Sequence, residues 1–155
     1  MAPTPTRILV AVDDSPAALE GVRLAVDLAR HIGAQVRFVH VLVDGDLLRA
    51  LGEVHHDGTV VERRARGVAL LLRHVEAEAD RAGVPSAGVS LEGEPGQVLL
   101  AEARDWQADL LVVGRADVVR AGTAYVGEVA RQLLEFSDLP VLVVPQPASR
   151  TSTRG

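Results

Sequence analysis

RILVAVDDSPAALEGVRLAVDLARHIGAQVRFVHVLV, residues 7–43, decides the fold. Arg7 to Val12 is an apolar, β-branched run of strand character. Asp13-Asp14-Ser15-Pro16 breaks it, and Ser15 can cap a helix whose first residue is Pro16, where a missing N–H costs nothing. Ala18, Val22, Ala25, Ala29 and Ile32 then recur at helical spacing until Gly33 supplies a left-handed stop. Gln35 to Val43 is a second strand. A strand, a covering helix and a second strand make one right-handed crossover, the unit of parallel sheets.

Downstream the rhythm repeats. Asp44 to Gly58 has little pattern and reads as a long loop or a short broken helix. A long helix follows from about Val60 to Ala82, stopped by Gly83, with Gly67 a weak point inside it. Ala87 to Leu91 is a short third strand. Pro95 to Trp106 is a helix with Val98, Leu99 and Ala103 on its inner face. Asp109 to Val113 is the fourth strand, ending at Gly114, and a polar, glycine-bearing loop leads to a helix over Gly127 to Phe136. Val141 to Val144, between Pro140 and Pro145, is the fifth strand. The expectation is an α/β domain over 7–145, a three-layer, doubly wound five-stranded parallel sheet with four helices. Residues 1–6 and 146–155 read as flexible and disordered tails. Such sheets bind ligands beyond the carboxyl ends of their strands, here the loops at 13–15, 41–44 and 114–127.

Composition removes several functions. A length of 155 residues suits one core. Sixteen basic against 21 acidic residues give a net charge of −5, the wrong sign for a phosphate backbone, and 3% aromatics leave no base-stacking platform. Nucleic acid is therefore not an expected partner. Every basic residue is arginine, which removes lysine nucleophiles, Schiff bases and a P-loop lysine. The absence of cysteine removes disulfides, thiol catalysis and thiolate-bound zinc. No apolar run approaches the roughly 20 residues that span a bilayer, and Met1 to Thr6 has no signal-like core, so the chain reads as cytoplasmic with no membrane partner.

Other polar clusters have plain readings. His55-His56-Asp57 are adjacent loop residues without further ligands, a solvent-facing group and not a metal site. His40 alternates with Phe38 and Val36 and reads as a hydrogen-bonded cleft-edge histidine; His31 and His74 sit on helices. No nucleophile-elbow motif surrounds any serine, Ser15 included. Glu92 to Gly96 reads as a turn with an acidic helix start. Arg63, Arg64 and Arg66, interleaved with Glu62, Glu76 and Glu78, read as a solvated, ion-paired face. Trp106 is expected to close the core against the fourth strand.

ILVAVDDSPAA at 8–18, VRFVHVL at 36–42, ADLLVVGR at 108–115 and GEVARQLLEFSDLPVLVVP at 127–145 keep the order and spacing of a known family. The chain resembles the universal stress proteins from Arg7 to Pro145. The resemblance implies a Rossmann-like, adenine nucleotide alpha hydrolase-like fold with strand order 3-2-1-4-5. Nucleotide-binding members share a loop Gly-x-x-Gly, nine residues, then Gly-Ser or Gly-Thr, in which glycines let the backbone approach phosphates. Here Gly114-Arg115-Ala116 is followed by Asp117 in place of the second glycine, and Gly127 by Glu128 in place of the hydroxyl, ahead of Val129. A triphosphate there meets two carboxylates, each about 4 kcal/mol unfavourable at 4 Å and an effective dielectric of 20, with Arg115 and Arg120 as partial offsets.

The resemblance places Asp13 near ribose and phosphates, and Ala11, Val12 and Val41 around adenine. Asp13 equally suits a turn leading into a helix, and a strand valine such as Val41 is ordinary core. The preferred expectation is a non-catalytic stress-response and interaction protein of the non-ATP-binding kind, with no cofactor and an unidentified protein partner. Glu128 would be a built-in anion at its helix terminus, and Asp117 would seal the phosphate loop. The alternative is a nucleotide-binding switch for ATP, AMP or a cyclic nucleotide through Asp13, Val41, Gly114 and Gly127, with AMP-type ligands the better fit. ATP hydrolysis is the poorest reading, since neither a metal-binding carboxylate cluster nor a positioned base is evident. The fifth strand, Val141, Leu142, Val143 and Val144, would lie at a sheet edge; edge physics and the resemblance both imply a homodimer through it.

Overall fold

The computed structural model describes residues 3–43, 59–115, 118–120 and 123–147. Its elements are β1 (Arg7–Ala11), α1 (Pro16–Ile32), β2 (Gln35–Leu42), α2 (Thr59–Arg81), β3 (Ser86–Glu92), α3 (Pro95–Trp106), β4 (Leu110–Gly114), β5 (Val118–Arg120), β6 (Thr123–Tyr125), α4 (Glu128–Phe136) and β7 (Val141–Val144). Local chemistry sets the boundaries. Asp13 Oδ1 accepts from the Ser15 amide at 2.7 Å, Ser15 Oγ accepts from the Ala18 amide at 3.2 Å, and Pro16 opens α1. Gly33, at φ 71°, closes α1 by donating to the Ala29 carbonyl. Glu94 caps α3, its carboxylate accepting from the Gln97 amide at 2.8 Å, as an acidic helix start requires.

Five parallel strands pair in the order β3-β2-β1-β4-β7, the expected 3-2-1-4-5 arrangement, with β7 at one edge. Strand alternation sorts the core onto two faces. Ile8, Val10, Phe38 and Val112 face α1 and α2, meeting Val22, Ala25, Leu72, Val75 and Ala79. Leu9, Val39, Leu111 and Val113 face α3 and α4, meeting Leu99, Ala103, Ala130 and Leu133. One feature differs from the sequence expectation: the stretch after Gly114, read as a loop, contains an antiparallel ribbon in which Val118 pairs with Tyr125 and Arg120 with Thr123. Three-residue strands are too short to show a period-two pattern. No described helix is long and apolar enough to cross a membrane.

Trp106 packs against the second core cluster, as expected, and carries a lid. The Arg37 guanidinium stacks 4.8 Å from its ring centroid while donating to Glu102 at 2.6 Å. Beside it, Asp109 Oδ2 accepts from the Thr6 amide at 2.8 Å, the Thr6 hydroxyl at 2.9 Å and the Arg7 amide at 2.9 Å. These contacts tie Thr6, assigned from sequence to a flexible tail, to the start of β4.

The Thr6 backbone hydrogen bond, helped by the Thr6 hydroxyl, the Arg7 amide and the Arg7 charge, outweighs desolvation and holds the Asp109 carboxyl below its ordinary 3.8. A folded-state pKa below the unfolded one means the stabilisation is complete above the unfolded value and disappears as pH falls through the folded one. Asp109→Asn is therefore expected to lower the urea midpoint at pH 7. The gap to the parent should close below about pH 4. A gap independent of pH between 7 and 3 would assign the loss to packing alone.

Candidate functional site

The carboxyl ends of β1, β2 and β4 open into a cavity of about 500 Å³, walled by the first turns of α1 and α4. Ala11, Val12, Asp13, Val41, Gly114, Arg115, Gly127, Glu128 and Val129 all line it. Asp117, the remaining candidate, lies outside the described residues, as do His55, His56 and Asp57. The floor is apolar: Val39, Leu99 and Val113 come from the second core cluster and Val12 from the first.

Two glycines of the expected phosphate loop have backbone reasons for being there. A Cβ on Gly114 would sit 2.6 Å from the Ala18 amide nitrogen and 2.7 Å from the Ala17 carbonyl carbon. The end of β4 thus presses directly on the first turn of α1. Gly127, at φ 92° and ψ 150°, adopts a conformation that other residues reach only with strain.

Gly127 has no side chain with which to cap α4. The first intrahelical bond runs from the Arg131 amide to the Gly127 carbonyl at 3.0 Å. The N–H groups of Glu128, Val129 and Ala130 therefore have no intrahelical acceptor, and all three residues line the cavity. Glu128 was expected to serve this terminus as a built-in anion. Arg131 engages its carboxylate, Nη2 to Oε1 at 2.6 Å and Nε to Oε2 at 3.3 Å, and also donates to Glu135 at 2.8 Å. An arginine one turn on claims the charge because residues three apart share a helix face.

Asp13, the second carboxylate of the cavity, is hydrogen-bonded to the turn it starts. His40 is half-buried at the cleft edge, Nδ1 lying 2.9 Å from the Val12 carbonyl. His31 and His74 lie near carboxylates of their own helices, Asp27 and Glu78. Among the described residues no group of three or more metal-ligating side chains converges. The arrangement suits a flat apolar body on the floor and an anionic end at the head of α4.

Sequence reasoning missed Pro95 and Leu99 of α3, and Gln146 just after β7, which was assigned to the polar tail. The signal was available: the loops after the third and fifth strands also leave the carboxyl edge of a parallel sheet.

Residues 5–145 match the sequence model of the universal stress protein family. Universal stress protein MJ0531 of Methanocaldococcus jannaschii is 27% identical over 143 residues, spanning 91% of this chain and 82% of that one. The structure of hypothetical protein MJ0577 superposes with a TM-score of 0.77 at 18% identity, over 93% of this chain and 98% of that one. The universal stress protein of Archaeoglobus fulgidus in complex with dAMP gives a TM-score of 0.62 at 25% identity, over 90% and 97% of the two chains. The strand order and a family match over nearly the whole length agree: this chain belongs to the universal stress protein family.

Proposed function

We propose that this protein is a non-catalytic, dimeric stress-response protein whose cleft holds an adenine mononucleotide. The observation that carries the reading is the open cavity of about 500 Å³, lined both by an apolar floor and by the first turn of α4, whose amides have no acceptor within the helix. Such amides and the helix dipole favour an anion. The dAMP complex of the Archaeoglobus fulgidus relative supports the ligand class. Glu128 sets the phosphate length: Arg131 offsets its charge enough for one phosphate at the helix head, whereas a longer chain runs past the carboxylate itself. Asp13 and Glu128, the cavity carboxylates among the described residues, are both committed to neighbours, which supports a reading without turnover.

A second reading is an interaction protein with an empty cleft. It is favoured by Asp13, whose carboxylate has a complete structural role in the turn to α1 without any ligand. Calorimetric titration with AMP and with magnesium ATP, at low and physiological salt, separates the two. Saturable AMP binding, tighter than ATP, is expected, and Glu128→Ser should improve ATP affinity about tenfold while changing AMP less. No heat from either ligand, with folded, nucleotide-free protein, would install the interaction-protein reading.

The dimer is proposed through β7, whose outer edge pairs with no strand among the described residues. Sedimentation should give twice the chain mass of 16.4 kDa.

A further inference from the structure

We infer that Gln146 is a ligand-contacting residue of the cleft, donating its carboxamide N–H to the anionic group of the bound mononucleotide. This rests on the nucleotide reading above. Among the described residues, five polar side chains line the cavity, from Asp13, Ser15, Arg115, Glu128 and Gln146. The fold already uses the others: Asp13 holds the Ser15 amide, Ser15 caps α1, Glu128 pairs with Arg131, and Arg115 is not free either. Gln146 is exposed and sits two residues past the end of the last strand, where neither helix nor sheet needs its side chain.

Its position selects what it can touch. Gly114 is in register with Val144, and the Arg115 amide donates to the Val144 carbonyl at 2.7 Å. The chain leaving β7 therefore emerges beside Gly114 and Arg115, and Gln146 lines the same cavity as the head of α4. Asp13 and Glu128 offer an anion only acceptors when ionised. A carboxamide offers two N–H donors without a charge, and its oxygen can accept from a sugar hydroxyl. Gln146 thus supplies neutral side-chain donors where the carboxylates would repel. The functional consequence is discrimination: Gln146 favours the phosphorylated ligand over the bare nucleoside.

The test is calorimetry of the full chain and of Gln146→Ala and Gln146→Glu with two probes, AMP and adenosine. Gln146→Ala should weaken AMP about tenfold and leave adenosine within about twofold, since a hydrogen bond to a charged group is lost from one ligand only. Gln146→Glu should weaken AMP further. Thermal midpoints and sedimentation of both variants should match the parent, which excludes misfolding as the cause. If the parent binds AMP and Gln146→Ala binds it equally well, or loses AMP and adenosine in the same proportion, the assignment is wrong. If the parent binds neither probe, the nucleotide reading fails and this inference with it.

Discussion

Gly114→Ala is expected to destabilise the fold by about 3 kcal/mol and to weaken whatever binds the cleft. The figure is the upper end of the usual range for overpacking a tight interior, because the new methyl meets backbone. Both atoms it would strike, the Ala18 nitrogen and the Ala17 carbonyl carbon, belong to the first turn of α1. Neither can rotate away as a side chain could. Relief requires α1 to slide off the end of β4, and that turn also carries Ser15 and follows Asp13, so the cavity wall moves with it. Urea unfolding measures the first effect and ligand titration the second. A stability loss under about 1 kcal/mol would show that α1 shifts at little cost and that β4 and α1 are not tightly packed at Gly114.

Phe38→Ala should have a still larger effect on stability, about 4 kcal/mol, within the range for emptying a buried phenylalanine site. Phe38 is fully buried and heads the core between the sheet and the α1–α2 layer. Its neighbours Ile8, Val10, Val22 and Val75 are themselves fully buried and cannot collapse far into the space. Measured by the urea midpoint at unchanged slope, the loss is a large share of the 5–15 kcal/mol typical of a domain. Phe38→Leu should retain most of the stability, because it leaves a smaller void.

These two residues also show how much a reader could take from the chain alone. Phe38 announces itself: it sits mid-run in an apolar strand, and the four helices and five sheet strands follow from such periodicity and from caps like Ser15 and Gly33. Gly114 was legible as a loop glycine, but its reason was not. Family resemblance suggested phosphate approach, whereas the structure adds an immediate cause in the meeting of β4 with α1, two segments about 100 residues apart in sequence. The same limit applies to Glu128. Its position at the start of α4 was readable, yet the partner that claims its charge depends on side-chain direction along the helix, and Arg131 was not singled out. The ribbon β5–β6 and the cavity role of Gln146 were invisible for a related reason: neither has a local pattern, and both take their meaning from where the sheet ends.

The self-sufficient turn at Asp13, Ser15 and Pro16 has a consequence for a change of ligand. Because α1 is capped by its own chain, the domain does not depend on a guest to complete its architecture. Occupancy then adds stability only by mass action, about 2.7 kcal/mol at a hundredfold excess over Kd and nothing when the guest is absent. A change of ligand therefore leaves the cap of α1 in place.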